Sequence, residues 1–327
     1  MRPIRKAVLP VAGLGTRVLP GAKVTPKELL NVVDRPILSY IVEEGRAAGI
    51  EQFVFITGRG KDAIPDYFDH QVELELQLRA KGKIEMLDSM LSELPKPGEM
   101  SFLRQMSPLG LGHAVWCARD VIGDEPFAVM LPDVIIDAPR SALGQLVDAY
   151  AKVGGNLIGV EAVPDSETYK YGIIAPKPRS GGHEADKLVE MTGMVEKPPA
   201  GTAPSNLSIA GRYILQPEIF AELAKHETGA GGEIQLTDAM ARLMLSQDFH
   251  ALEYEGITHD CGDKIGLLRA NVALALKRPD LKDAARAALT PLLQPWKIAR
   301  DPAATRRVRS LATWATTGPQ SPGVVWR

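Results

Sequence analysis

The loop after the first apolar run of the chain combines glycines with cations. Gly13 and Gly15 are followed by Arg17, Lys23 and Lys27. Glycines let backbone N–H groups approach a phosphate or a nucleobase edge that a Cβ would block, and nearby cations can neutralise phosphate charge. The loop therefore has two readings: a cradle for a polyphosphate, or a solvated basic loop at the surface.

Two aspartates follow apolar runs at distant points of the sequence. Asp133 comes after the apolar run 127–131, and Asp260 ends the shorter run 256–260. Ligands bind at the carboxyl ends of strands in open α/β sheets, and Mg²⁺ prefers one or two carboxylates together with phosphate oxygens and water. Taken alone, each aspartate is more simply read as a loop or helix cap. Together they are candidates for one magnesium site.

Two further groups of polar residues lie near predicted strand ends. Glu196 and Lys197 pair a carboxylate, which can accept from sugar hydroxyls, with an ammonium that can bind a phosphate. The alternative is an ordinary strand-end turn. Gln105, five residues before Gly110, offers a donor and an acceptor to a nucleobase edge, or is simply a polar residue after a strand. His113 is interpreted as a helix-start residue and not as a catalytic base.

The sequence contains no motif for covalent catalysis. It has no G-x-S-x-G, H-E-x-x-H or Walker pattern. Cys117 and Cys261 form no C-x-x-C; they are interpreted as buried thiols, and this sparing use of cysteine favours a cytoplasmic location. No cleavage site follows the first apolar stretch, and no apolar run approaches the roughly 18 residues of a membrane span. We therefore expect no membrane partner.

Strand and helix patterns alternate along the chain. A strand at 6–12, a helix from Pro36 to Gly49 and a strand at 53–57 predict a parallel, twisted sheet with helices on both faces. Loops separate most of the later strands, so that half is predicted to be mixed or antiparallel. The remaining predicted elements are two or three helices in 61–94, strands at 101–105, 127–131, 156–163, 172–175, 187–196 and 207–215, and helices at 110–118, 140–153, 217–225, 236–246, 264–277 and 281–290.

Composition narrows the class of partner. The 327 residues are 45% hydrophobic with a formal net charge of −2, which excludes disorder for most of the chain and leaves no electrostatic footprint for nucleic acid. A small-molecule partner is expected. Residues 300–327 contain five arginines and one aspartate without an apolar period, and are predicted to form a basic, poorly specified tail.

Seven short motifs, in register between about residues 5 and 290, resemble those of the sugar-1-phosphate nucleotidylyltransferases, and most closely the bacterial UTP–glucose-1-phosphate uridylyltransferases. They are Pro10–Arg17, Gly110–Ala114, Leu131–Val134, Val195–Pro198, Pro204–Asn206, Glu233–Asp238 and His259–Gly262, with Pro26-Lys27-Glu28 between the first two. The resemblance implies a Rossmann-like three-layer α/β/α fold of the nucleotide-diphospho-sugar transferase type, with a mixed, mostly parallel central sheet.

The resemblance also implies how the chain is organised. One catalytic domain, 1–299, would contain a nucleotide-binding part at about 1–135, a sugar-binding part at about 136–262 and C-terminal helices at about 263–295, followed by the tail 300–327. The family suggests a homo-oligomer, either a dimer or a tetramer.

The implied reaction is in-line attack of glucose 1-phosphate on the α-phosphorus of UTP, assisted by Mg²⁺, which gives UDP-glucose and pyrophosphate. By the same resemblance, the catalytic residues are Arg17, Lys27, Asp133 and Lys197, and the metal ligands are Asp133 and Asp260. The nucleotide-binding residues are Ala12, Gly13, Gly15, Glu28, Gln105 and Gly110, and the residues that bind the sugar and its phosphate are Gly172, Glu196, Lys197 and Gly211.

The chain departs from the family's usual pattern at two positions near the predicted base site. Met106 stands where relatives usually have glycine, and Leu109 where many have lysine. Two alternatives therefore stay open. One is a thymidylyltransferase or another sugar-1-phosphate nucleotidylyltransferase, and the other is a non-catalytic regulatory homologue that binds a sugar nucleotide.

Overall fold

A computed structural model describes residues 1–177 and 187–293. The chain divides into two compact units, Met1–Leu274 and Ala275–Arg327. The predicted tail lies outside the described residues, and a single catalytic domain over 1–299 stays a prediction. No helix in the described ranges is long and apolar enough to cross a membrane.

The described chain contains strands and helices in the alternation that the sequence predicts. The strands are β1 Lys6–Pro10, β2 Asn31–Val32, β3 Arg35–Pro36, β4 Gln52–Thr57, β5 Met100–Arg104, β6 Phe127–Met130, β7 Val134–Asp137, β8 Asn156–Ala162, β9 Gly172–Pro176, β10 Leu188–Glu196, β11 Leu207–Leu215, β12 Phe249–Glu253 and β13 Ile257–Asp260. The α-helices are α1 Ile37–Ala47, α2 Ala63–Tyr67, α3 Val72–Ala80, α4 Ile84–Ser92, α5 Leu111–Trp116, α6 Arg119–Ile122, α7 Ala142–Val153, α8 Ile219–Leu223, α9 Leu236–Leu243, α10 Lys264–Lys277 and α11 Lys282–Leu289. The predicted strands and helices are confirmed, apart from small differences in their ends.

Nine strands form the central sheet, in the order β5-β4-β1-β6-β11-β8-β12-β10-β9. The pairs β5–β4, β4–β1, β1–β6 and β8–β12 are parallel, whereas β11 and β10 run against their neighbours. Seven of the nine strands therefore share one direction. This confirms a mixed, mostly parallel sheet.

Apolar side chains on alternate residues of the sheet build two separate core layers. In β1, Ala7 and Leu9 belong to one layer and Val8 to the other. Buried residues of α1 and α7 cover the first layer, and those of α5, α8 and α9 cover the second. Because successive strand residues point to opposite faces, burial on both faces explains the nearly continuous apolar runs of the central strands. The three-layer α/β/α expectation is confirmed.

The second half of the sheet curls back on itself. In β11, Ser208 lies opposite Glu161 of β8 and also opposite Ile173 of β9. Gly172 at the start of β9 pairs with Glu196 at the end of β10. The curl therefore brings the end of β10 close to the end of β8.

A two-stranded ribbon stands apart from the central sheet. Strand β7 begins immediately after Asp133 and pairs antiparallel with β13, with Asp260 opposite Val134. Neither β7 nor β12 is predicted as a strand from the sequence. Only three residues separate β7 from β6, so the two strands look like one apolar run in the sequence.

Candidate active site

Two cations and two carboxylates converge in one cluster. Lys27 Nζ lies 2.6 Å from Asp133 Oδ2, and Arg17 lies 3.6 Å from the same oxygen through Nη2. Arg17 Nη1 also lies 3.3 Å from Asp260 Oδ2. Arg17 is largely exposed, whereas Asp133 and Lys27 are mostly buried. The four residues predicted to bind the triphosphate and the metal are therefore in direct contact.

The ribbon brings the two aspartates together. Asp133 follows β6, a central parallel strand, as predicted. The expectation that Asp260 would end a strand of the same sheet is wrong, because Asp260 ends β13 of the separate ribbon. The Cys261 amide donates to the Asp133 carbonyl over 2.8 Å, which fixes the two segments side by side.

The cations also set the charge state of Asp133. Burial alone would raise its pKa, but the charges of Lys27 and Arg17, with the hydrogen bond from Lys27, outweigh burial and lower the pKa below its ordinary value. Asp133 is therefore a carboxylate at neutral pH.

Gly262 lets the two carboxylates approach each other. A Cβ at this position would lie only 2.8 Å from both Asp133 Oδ2 and Asp260 Oδ1, and would also collide with Arg17. The two oxygens face the same point, and the Gly262 amide donates to Asp260 Oδ1 over 2.8 Å. In the described ranges, no cluster of three or more His, Cys, Asp or Glu could hold a metal. Two converging carboxylates fit a hard divalent ion that takes its other ligands from phosphate and water.

The glycine loop lies against the Lys27 side chain. Gly15 has φ +66°, and a Cβ there would lie 3.1 Å from the Cβ atoms of Lys27 and Ala22. A Cβ at Gly13 would lie 3.7 Å from Lys27 Cε. Lys23 is exposed at the surface. The loop thus packs around one cation of the cluster, and its role as a polyphosphate cradle stays a prediction.

Glu28 forms a buried ion pair with a residue that the sequence analysis missed. Glu28 Oε2 accepts from Lys61 Nζ over 2.8 Å, and both side chains are buried. Its other oxygen, Oε1, has no hydrogen-bond partner in the described structure. Burial raises the pKa of Glu28, although Lys61 opposes this shift. Lys61 follows β4, so the residues after β1, β4 and β6 meet at one edge of the sheet.

The predicted sugar-binding residues form a second group. A Cβ at Gly172 would lie 3.0 Å from Glu196 Oε2, and the same oxygen accepts from Thr237 Oγ1 over 2.8 Å. Lys197 has φ +46°, is largely exposed, and places Nζ 3.9 Å from Glu196 Oε1. Thr237, which lies in the motif Glu233–Asp238, received no role in the sequence analysis; the structure makes it the residue that holds Glu196.

Gly211 and Arg212 connect β11 to the segment that carries Asp133. Gly211 has φ +74°, and a Cβ there would lie 2.9 Å from Leu131 Cβ. Arg212 is fully buried and donates to the carbonyls of Leu131, Gly211 and Val134 over 3.3, 3.1 and 2.7 Å. It also forms a bidentate pair with Glu44 at 3.0 and 2.7 Å. Arg212 thus braces the chain on both sides of Asp133.

Gln105, next to the end of β5, is held by two acceptors. Its amide nitrogen lies 3.1 Å from the Gly110 carbonyl and 2.9 Å from His113 Nδ1. Met106 is 84% exposed and makes no part of this arrangement, while Leu109 is 43% exposed. His113 is the third residue of α5, as expected of a helix-start residue, but its contact with Gln105 was not foreseen.

The two thiols differ in burial. Cys261 is buried, as expected, and burial raises its pKa to about 12. The same expectation is wrong for Cys117, which is only partly buried. Neither thiol lies in the ion-pair cluster, so the geometry of the site does not support a cysteine nucleophile.

Comparisons with known proteins find similar chains. The family model described as Nucleotidyl transferase matches residues 6–276. The chain is 47% identical over 283 residues to a UTP–glucose-1-phosphate uridylyltransferase of Bacillus subtilis, which covers 86% of this chain and 95% of that protein. It is 48% identical over 265 residues to an enzyme of the same name from Komagataeibacter xylinus, covering 81% and 92% of the two chains.

Solved structures give the same result. A UTP-bound UGPase from Acinetobacter baumannii superimposes with a TM-score of 0.79 at 42% identity, covering 88% of this chain and 98% of that one. A UDP-glucose pyrophosphorylase complexed with UDP-glucose superimposes with a TM-score of 0.74 at 36% identity, covering 84% and 100%.

Proposed function

The chain belongs to the nucleotidyl transferase family and, within it, to the UTP–glucose-1-phosphate uridylyltransferases, and on this premise we propose that it transfers UMP from UTP to glucose 1-phosphate. The products are UDP-glucose and pyrophosphate. The observation that carries the proposal is the cluster of Arg17, Lys27, Asp133 and Asp260, which joins two cations for a polyphosphate to two carboxylates for a divalent ion.

The reaction needs charge neutralisation and alignment more than covalent chemistry. A phosphate oxygen of glucose 1-phosphate attacks the α-phosphorus of UTP, a new P–O bond forms, and the bond to pyrophosphate breaks. Both reactants are polyanions, so catalysis depends on groups that align them and stabilise the charge of the transition state. Arg17 and Lys27 are the residues that we assign to the triphosphate. Their position beside the glycine loop supports this assignment.

We assign Asp133 and Asp260 to a divalent cation, which we take to be Mg²⁺. When bound, the cation would neutralise phosphate oxygens and orient the triphosphate. The convergence of the two carboxylates beside Gly262 supports this role. Arg17 and Lys27 carry two positive charges beside the two negative charges of Asp133 and Asp260, and the same cations would face the phosphates of a bound triphosphate.

At the other end of the site, we assign Glu196 and Lys197 to the sugar and its phosphate. Thr237 holds Glu196 Oε2, which leaves Oε1 for sugar hydroxyls. The positive φ of Lys197 turns its exposed ammonium back toward the same carboxylate. Gly172 lies close against Glu196, which supports the assignment of Gly172 to the sugar pocket. We also assign Gly211 to this pocket, as predicted.

For the base we assign Gln105 and Gly110, together with Ala12, Gly13, Gly15 and Glu28 of the first loop. These residues follow β5 and β1, which with β4 and β6 form the parallel half of the sheet. Residues after the carboxyl ends of neighbouring parallel strands share one edge, which is where open α/β sheets bind ligands. A homo-oligomeric state and a cytoplasmic location stay predictions.

Pyrophosphate release tests the proposed reaction. The enzyme is incubated with glucose 1-phosphate, Mg²⁺ and, in parallel, UTP, dTTP, CTP, ATP or GTP, and pyrophosphate is measured over time. We expect the highest kcat/KM with UTP. Preference for dTTP would indicate a thymidylyltransferase, whereas binding of UDP-glucose without pyrophosphate release from any nucleotide would indicate the regulatory alternative.

A further inference from the structure

The orientation of the Gln105 side-chain amide is fixed by its neighbours. The Gly110 carbonyl can only accept a hydrogen bond, so the group 3.1 Å from it must be the amide nitrogen and not the amide oxygen. The second hydrogen of that nitrogen faces His113 Nδ1 at 2.9 Å. Both amide hydrogens are thus used, and Oε1 is the only polar atom of the side chain left for a ligand.

The same contact determines the protonation state and the tautomer of the His113 imidazole. Because an amide N–H points at Nδ1, this nitrogen must carry a lone pair, and the imidazole is neutral with its proton on Nε2. Burial, with a smaller effect of His226, lowers the pKa of His113 and favours the neutral ring. His113 therefore acts as an acceptor.

Aromatic packing holds the imidazole in place. The ring centroids of Trp116 and His226 each lie 5.7 Å from that of His113, and they lie 4.6 Å from each other in an edge-to-face arrangement. The guanidinium of Arg119 covers the Trp116 ring at 3.9 Å. Cys117 Sγ lies 3.9 Å from Nδ1 and completes the surroundings. None of these residues belongs to the catalytic cluster. Their contacts hold the His113 ring, which in turn holds the Gln105 amide.

We propose that His113 is a positioning residue that, together with the Gly110 carbonyl, holds the Gln105 amide with its oxygen toward the base, and thereby selects bases with a hydrogen-bond donor at N3. This rests on the proposed function, in which Gln105 meets the base. Uracil and thymine carry N3–H, which can donate to Oε1. Cytosine carries a lone pair at N3, which would face the lone pairs of Oε1. A Gln105 amide that could rotate would accept either base.

The test removes the hydrogen-bond acceptor at His113 while it keeps the packing of the ring. His113→Phe retains a ring against Trp116 and His226 but has no acceptor, whereas His113→Asn is smaller but returns an acceptor oxygen near the Nδ1 position. His70→Phe, the same substitution at an exposed histidine outside the site, is the matched control. His113→Leu replaces His113→Phe if the latter does not fold. For each protein, kcat and KM are measured with UTP, CTP and glucose 1-phosphate, and UTP and CTP affinities are measured by calorimetry.

We expect His113→Phe to raise KM and Kd for UTP about five- to tenfold, the worth of one hydrogen bond, and to lower the UTP/CTP preference by a similar factor. KM for glucose 1-phosphate should stay unchanged within about twofold. His113→Asn should recover most of the preference, and His70→Phe should match the wild type. An unchanged UTP/CTP ratio in His113→Phe would overturn the proposal, as would an equal loss for both nucleotides that His113→Asn does not repair.

The two proposals fail in different ways. A wild-type protein that binds UTP but releases no pyrophosphate would contradict the proposed reaction. The calorimetric comparison of UTP with CTP needs no turnover, so it still decides the role of His113.

Discussion

Lys27 Nζ donates to Asp133 Oδ2 over 2.6 Å, although 106 residues separate the two in sequence. The contact joins the loop after β1 to the turn after β6, two neighbouring parallel strands. It holds the Asp133 carboxylate against the Lys27 ammonium, which lowers the pKa of Asp133. In the reaction that we propose, Lys27 would contact the triphosphate and Asp133 would help to hold the divalent cation.

Asp133→Asn tests the central carboxylate. The amide cannot balance Lys27 and Arg17 and is a poor ligand for a divalent ion, so we expect kcat to fall by about 10²–10³-fold. Thermal unfolding should show a folded protein, and Asp120→Asn, at an exposed aspartate of α6, should match the wild type. Near wild-type kcat with Mg²⁺ would refute the assignment.

Gly262→Ala tests the approach of the two carboxylates. A methyl group would push apart Asp133, Asp260 and Arg17, so we expect kcat to fall by about a hundredfold, as for other displacements of about 1 Å at a catalytic site. Gly21→Ala is the matched control, because Gly21 lies in the same basic loop with open space around it. Equal activity of the two variants would contradict the role of Gly262.

Lys197→Ala tests the sugar-phosphate end of the site. Loss of a charge-assisted contact should raise KM for glucose 1-phosphate about tenfold or more and lower kcat, while KM for UTP changes much less. Lys225→Ala removes a comparably exposed ammonium outside the site and serves as the control. Steady-state kinetics with each substrate varied decide the outcome, and equal changes in both KM values would argue against the assignment.

Thr237→Val keeps the side-chain volume but removes the hydroxyl that donates to Glu196. The freed carboxylate should bind the sugar less well, so KM for glucose 1-phosphate is expected to rise about five- to tenfold. Thr237→Ser restores the donor and should recover most of the loss. If Thr237→Ser and Thr237→Val behave alike, the hydroxyl does not position Glu196.

Arg212→Met tests the buried brace. It leaves Glu44 charged in the core, so we expect the free energy of unfolding, measured in denaturant, to fall by about 3–5 kcal/mol. The double variant Arg212→Met/Glu44→Leu removes both charges and should regain part of that stability. At a temperature at which both variants are folded, kcat should still be reduced. The carbonyls of Leu131 and Val134, on either side of Asp133, lose their hydrogen-bond donor. Full activity of the double variant would limit Arg212 to a role in stability.

The sequence by itself determined the alternation of strands and helices and the residue types at most strand ends. These are local signals: apolar runs of strand length, helix periodicity, and Pro and Gly at the ends. Because β1, β4, β5 and β6 pair in parallel, residues after their carboxyl ends had to share one edge, and Gly13, Gln105 and Asp133 were found there. The motif resemblance added Glu196 and Asp260, which local signals alone did not distinguish from turns.

Only the tertiary structure decided how distant segments pair. The ribbon of β7 and β13 carries Asp260 to Asp133, and its register depends on backbone hydrogen bonds between strands about 120 residues apart. Thr237 reaches Glu196 because α9 packs on the curled half of the sheet, and His113 meets Gln105 because the loop between them folds back. No repeating pattern in the sequence predicts such contacts, because each involves a single side chain whose partner depends on how the distant segments pack.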